Sequence, residues 1–223
     1  MDGATIQQRI YAGRGKAALR VGLPCAQYRP LTAAAPLGNL LGTILAAFNS
    51  GDSKYLKPNE YGDPTWYADL DGRQTLVGDY LVRATDSETW FIAGQQQLLP
   101  IIAINCNRRL RISRQTGASG SVGLQGYNTT SPCDPSGMAD LLGTSAGALW
   151  PASILLGGRA QQSGSHLPSG VPQAGWRILL PASVPVTLIA GDIATDDLGR
   201  RYAITAAENT DLGWRLNAYE IHG

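Results

Sequence analysis

Histidine, cysteine and charge are all scarce in this chain of 223 residues. Its two histidines, His166 and His222, and three scattered cysteines, Cys25, Cys106 and Cys133, form no CxxC pair and no Cys/His cluster. An ordinary zinc site gathers four such ligands at short spacing, so no metal centre is expected. An odd cysteine count without regular spacing also argues against a disulfide-built secreted domain, and three reduced thiols in a cytosolic setting are expected instead. Charged residues make up 16% of the chain, well under the usual ~25%. The 18 basic and 17 acidic residues leave a formal charge of +1. That balance excludes a wholesale nucleic-acid scaffold or an acidic tail, and it leaves little repulsion against self-association. Long apolar runs are missing too. The most apolar window, Leu31 to Phe48, is broken by Pro36, Gly38, Asn39 and Gly42, short of the ~20 residues a membrane span requires. Met1-Asp2-Gly3 lacks the basic-then-apolar order of a signal peptide. A soluble protein that folds where it is made, with no membrane partner, is the expectation.

What the chain has in excess is glycine, 27 residues, where average usage would give roughly 16. With 13 prolines and few charges, this profile predicts many short strands joined by loops rather than a helix-rich enzyme. The length allows ~70% of the unfolded surface to be buried without a staple. The expected fold is mainly β: two small β-barrel or sandwich modules with an N-terminal helix and long Gly/Ser-rich loops. The expected divisions are an N-terminal helical segment at 1–22, a first β module at 23–115, a linker or loop excursion at 116–150 and a second β module at 151–223.

Residues 4–21 read as a helix, with Ile6, Ile10, Ala17 and Val21 along one stripe and Gly13 and Gly15 weakening its middle. Gly22 and Pro24 end it. Residues 31–64 read mostly as extended loop around a strand at Thr43–Phe48. Strand-type runs follow at Thr65–Leu70, Gln74–Arg83, Thr89–Gly94 and Ile101–Arg114. Residues 116–137 are too poor in large apolar side chains to bury a core, and a short helix is expected at Pro135–Leu142. Strand runs resume at Ala152–Leu156, Trp176–Leu180, Val186–Thr195, Arg201–Ala207 and Trp214–Ile221, the first two separated by the Gly157–Gly175 loop.

The two halves echo each other. Trp66-Tyr67-Ala68 leads to Gly78-Asp79-Tyr80-Leu81, a polar turn and Trp90-Phe91-Ile92. Trp176-Arg177-Ile178 leads to Gly191-Asp192-Ile193-Ala194, a polar turn and Arg201-Tyr202-Ala203-Ile204. Glycine within a strand suits a bulge or barrel corner, and the aspartate beside it can accept from freed amides. Two related modules follow, by duplication or by convergence. Trp66, Phe91, Ile92, Ile102, Ile178, Leu188, Ile204 and Leu216 are the expected core.

Few groups could carry chemistry. Gly143-Thr144-Ser145-Ala146-Gly147 matches a nucleophile elbow, but the strand before it and the helix after it are missing, with Pro151 close behind. A serine hydrolase is therefore not expected. Asp69, Asp71 and Asp79, and Asp192, Asp196 and Asp197, fall short of the 6–8 oxygens of a calcium loop and sit where hairpins want Asp. Gly117–Gly126 has no P-loop lysine. The tryptophans at 66, 90, 150, 176 and 214 read as core, with a carbohydrate-stacking platform as the alternative. Arg108, Arg109, Arg111 and Arg114 are the one concentration of charge. On a strand, Arg109 and Arg111 share a face opposite Leu110 and Ile112. That face suits carboxylates of a protein partner or a DNA backbone, or is simply solvated. No catalytic residue, cofactor site or metal site is assigned.

The opening Met1 to Ala18, Tyr28-Arg29-Pro30, Val77-Gly78-Asp79-Tyr80-Leu81, Phe91-Ile92-Ala93-Gly94-Gln95-Gln96, Gly191 to Tyr202 and Asp211 to Leu216 together resemble tailed-phage and prophage neck proteins. These are head–tail connectors of the collar, head-completion or head-closure type. The resemblance implies a β-barrel homo-oligomer ring of sixfold or twelvefold symmetry in the virion, assembled in the host cytoplasm. It further implies portal or connector proteins on one side and tail-terminator or tube proteins on the other. The arginine face would contact a DNA backbone if it lines the channel, and carboxylates of an adjoining ring protein, the favoured partner, if it faces outward or sideways. A carbohydrate- or receptor-binding β module of a phage tail or baseplate is the alternative.

Overall fold

The computed structural model describes residues 2–49, 62–115, 138–157 and 175–221. The chain opens with helix α1 (Gly3–Val21), started by Asp2, whose carboxylate accepts from the Thr5 N–H at 2.8 Å. The helix turns Tyr11 and Ala18 inward, leaving Ile6, Ala17 and Val21 of the expected stripe exposed. Small residues decide this rotation. A Cβ on Gly15 would lie 2.9 Å from the Asp71 Cβ, and one on Gly22 would lie 3.0 Å from the Ala46 N. Only that face lets the helix axis come so close to the sheet.

The helix runs straight into strand β1 (Leu23–Tyr28), where the sequence had suggested only a helix end. Strands β2 (Leu40–Asn49), β3 (Thr65–Asp69), β4 (Tyr80–Arg83), β5 (Thr89–Gly94) and β6 (Ile101–Cys106) complete a closed barrel in the order β1-β2-β3-β6-β5-β4. The remaining strands are β7 (Arg108–Gln115), β8 (Met138–Leu142), β9 (Trp150–Leu156), β10 (Gly175–Leu180), β11 (Ile193–Asp196), β12 (Arg201–Thr210) and β13 (Gly213–Ile221). They form a second sheet, β11-β12-β13-β10-β9-β7-β8, in which β11 also pairs with β7 and closes six strands into a second ring. The fold is therefore mainly β, in two modules behind one helix.

Three expectations about boundaries need correction. The run Ile101–Arg114 breaks at Asn107, and β7 pairs with β8, β9 and β11 of the second sheet, so residues 108–115 belong to the second module. The break is built into Asn107, whose side-chain amide and carbonyl bond the Ile154 C=O and N–H, each at 2.8 Å. The expected helix over Pro135–Leu142 is strand β8 across Met138–Leu142, because Leu142 opposite Ile112 is wholly buried against the second core. The excursion placed at 116–150 thus ends in a strand. Its residues 116–137 lie outside the described residues, as do 158–174 of the other glycine-rich loop. The runs Gln74–Arg83 and Val186–Thr195 become strands only from Tyr80 and Ile193; before those points each is a turn.

Numbered in chain order within each module, both barrels follow one path: first, second, third, sixth, fifth, fourth strand. Strand β8 is an insertion between the first and second strands of the second module. Register extends the likeness to single residues. Trp66 and Trp176 each stand opposite an alanine of the sixth strand, Ala103 and Ala218. A bulge interrupts the fifth strand just after Ile92 in one module and just after Ile204 in the other.

Leu81, Trp90 and Ile92 fill the first barrel with Cys25, Ile44, Ala46, Leu70 and Ile101. Their counterparts Ala194, Tyr202 and Ile204 fill the second with Leu110, Ile112, Ile178 and Leu216. Between these inward positions lie Tyr80, Phe91, Ala93 and Ile104, which share the second barrel's core. All six residues of β5 are consequently buried. The Tyr80 hydroxyl donates to the Pro151 carbonyl at 2.8 Å and its ring meets Trp150 edge-on. Of the expected core, Phe91, Ile92, Ile178, Leu188, Ile204 and Leu216 are buried, whereas Trp66 and Ile102 are half-buried.

Candidate functional site

Strand β7 carries the four arginines. Leu110 and Ile112 point inward and are fully buried, while Arg109 is exposed and Arg111 half-buried, as alternation requires. A register shift between Ile112 and Ser113 then breaks the alternation. Ser113 turns inward and its hydroxyl donates to the Ile193 carbonyl at 3.4 Å. Arg114 is directed onto Asp192, with Nε 2.6 Å from Oδ1 and Nη2 2.9 Å from Oδ2, and it also donates to the Thr187 carbonyl.

The four side chains are thus no uniform basic surface. Arg114 clasps a carboxylate with no exposed area, and that hydrogen bond raises the guanidinium pKa further. Arg111 meets Asp140 at 3.0 Å and Arg108 lies 3.9 Å from Asp197. Among the described residues Arg109 has no ion-pair partner. It stands at a shallow cleft of about 110 Å³ where the two barrels join, lined also by Ser87, Glu88, Asn107, Arg108 and Asp197. A carboxylate brought there would find one free guanidinium and a second held only loosely.

The Arg114–Asp192 clasp has a twin. Arg29 reaches Asp79 with Nε 2.7 Å from Oδ1 and Nη2 2.8 Å from Oδ2, and Gln27 adds a third donor at 2.8 Å. Tyr28 pairs with Tyr80 as Ser113 pairs with Ile193, so Arg29 and Arg114 occupy the same position of the two barrels. Both aspartates also cap their own turns, accepting from the Leu76 and Ile189 N–H groups, each at 2.9 Å. Gly78 and Gly191 precede them with φ of +92° and +95°, a backbone open to glycine but strained for other residues. The expected bend and local aspartate bonds are both present, at the entrance to the strand. Arg29 was not among the sequence candidates; its place beside the Gly-Asp turn comes from strand pairing alone.

The remaining candidates are occupied elsewhere. Ser145 lies exposed in the turn between β8 and β9, where its N–H donates to Asp140 at 2.8 Å; His166 and His222 lie outside the described residues. Asp69 is held by Arg14 and Asn49, Asp71 by Arg73, and Asp196 by the Leu198 and Arg200 N–H groups and the Tyr202 hydroxyl. Trp90, Trp150 and Trp214 are buried, and Trp66 and Trp176 half-buried. Burial pushes the Cys25 thiol up to about 11, with Arg83 opposing, and drives the Cys106 thiol higher still. Both stay protonated at neutral pH and are poor nucleophiles. No protein-family model, curated protein or solved structure matches this chain.

Proposed function

We propose that this chain is a structural subunit of a phage virion, forming a ring in the neck between the portal and the tail. The reading begins from the resemblance of its motifs to connector proteins. It is supported by one observation above the rest: two barrels of identical strand order are joined by first-barrel residues that pack into the second barrel's core. Such a pair of joined barrels offers faces to neighbours on either side, which is what a ring subunit needs. Arg108, Arg109, Arg111 and Arg114 were the proposed contact patch, and their pairing narrows it. Arg109, with Arg108 beside it, is the part still available to carboxylates of an adjoining neck protein or to a DNA backbone in the channel. Copies of the chain and the portal-side and tail-side ring proteins are the partners, and no cofactor or catalysis is invoked.

Negative-stain microscopy of the purified protein and of virions tests the reading. Closed rings, and density lost from the neck when the gene is deleted, are the expected results; virions lacking the protein would sink it. Particle assembly with Arg109→Glu tests the contact. Untailed or empty particles are expected, and normal DNA-filled tailed particles would show Arg109 to be only a solvated side chain.

A further inference from the structure

We infer that the exposed flank of α1 is the docking surface for the second barrel of another copy of this chain, in a head-to-tail contact. The inference rests on the ring reading and names its interface. Its first support is the rotation of the helix. At ~100° per residue, the stripe of Ile6, Ile10, Ala17 and Val21 lies about a quarter of a turn from the buried face of Tyr11 and Ala18. Ile6 is 37% exposed and Val21 69%, and Leu23, at 43%, continues the apolar surface into β1. Arg9, Lys16 and Arg20 border it, all exposed.

The second support comes from the duplication, which says what would cover this surface. On the second barrel, strand β9 is covered by β6 and its neighbours from the first barrel. The equivalent strand of the first barrel is β2, and α1 lies across it. The helix therefore occupies the place where a preceding barrel would otherwise sit, with its apolar flank at the side of that position and Arg9, Lys16 and Arg20 about half a turn from the buried face.

The covering face is identified the same way. Tyr80, Phe91, Ala93 and Ile104 of the first barrel make the internal contact, and register maps them onto Ile193, Ala203, Thr205 and Tyr219 of the second. Thr205 and Tyr219 are exposed, Tyr219 at 40%, Ala203 is half-buried and Ile193 is buried. One end of the chain thus carries a donor face open at Thr205 and Tyr219, and the other an exposed apolar helix flank. A contact between two different faces repeats from copy to copy and closes when the rotation allows, which is how rings form.

Light scattering on the full chain over a concentration range provides the test. The wild type is expected to assemble. Val21→Glu and Tyr219→Glu should each raise the half-assembly concentration by roughly tenfold or more, because each would bury an unpaired carboxylate in the contact. An equimolar mixture of the two variants should give a one-to-one dimer that grows no further, because each partner keeps one intact face. Ala17→Arg replaces Val21→Glu should the latter lose its β-type circular dichroism. Assembly undiminished in both variants overturns this interface and leaves the ring reading standing. A wild type that stays monomeric also overturns it, and the ring reading then falls only if virion images lack the protein. Monomer that instead binds duplex DNA or anionic vesicles through α1 assigns the flank another occupant and equally overturns the inference.

Discussion

At the scale of single residues, the strongest polar feature is the pair of clasps, Arg29–Asp79 and Arg114–Asp192. Both carboxylates are almost fully enclosed, at 1% and 0% side-chain exposure, while the guanidiniums are about a third exposed, at 33% and 35%. Removing a guanidinium leaves a buried carboxylate with only its turn amides, and Asp79 with Gln27 as well. Breaking a fully buried pair costs ~3–5 kcal/mol. The partial exposure of the arginines lowers the expectation for Arg114→Ala or Arg29→Ala to about 2–4 kcal/mol. Urea unfolding of each variant measures it, and a loss below ~1 kcal/mol would mean that the turn amides suffice. Because the clasps hold the same position of two barrels, the two losses should be similar, with Arg29→Ala the milder where Gln27 compensates.

At the scale of elements, α1 shows how one residue type serves two ends. Gly13 and Gly15 both weaken a helix by propensity, yet their surroundings differ. A Cβ on Gly13 would meet nothing within 4 Å, whereas one on Gly15 would lie 3.3 Å from the Asp71 Cα as well as against its Cβ. Gly13→Ala should therefore stabilise the protein by about 0.5–1 kcal/mol. Gly15→Ala gains the same propensity but forces the helix off the barrel, where overpacking costs ~1–3 kcal/mol. A net loss is expected for Gly15→Ala. Thermal unfolding followed by helical circular dichroism distinguishes the two, and a shift of the same sign for both variants would contradict the packing account.

At the scale of the whole molecule, the two barrels share a core across β5. Phe91 is 1% exposed and lies with Tyr80 and Ile104 among residues of the second barrel. Unfolding of the wild type is expected to be one cooperative transition, because neither barrel can open without exposing the other's apolar surface. Phe91→Ala should cost about 3–5 kcal/mol and uncouple the modules, so that calorimetry resolves two transitions. Two transitions in the wild type would show that the junction does not couple them.

Local pattern determined a good deal of this protein. Strand-type runs marked β3 and β5, and an apolar stripe with a glycine terminus marked α1. The repeated Gly-Asp turn marked two related modules, because a turn that needs positive φ leaves its glycine visible in the chain. Tertiary structure alone decided the rest. The rotation of α1 was set by how closely Gly15 and Gly22 approach the barrel, against the direction its apolar stripe suggested. Strand β1 was hidden because Leu23–Tyr28 is short and its pairing partners, β2 and β4, lie 12 or more residues away. Asn107 ended one barrel and began the next through bonds to Ile154, a residue far along the chain. The arginine strand read as one basic face because alternation assumes unbroken register; the shift at Ser113 turned Arg114 into the partner of a buried aspartate. Spacing shows which residues can share a face, but which charge neutralises which depends on strands that only the closed barrels bring together.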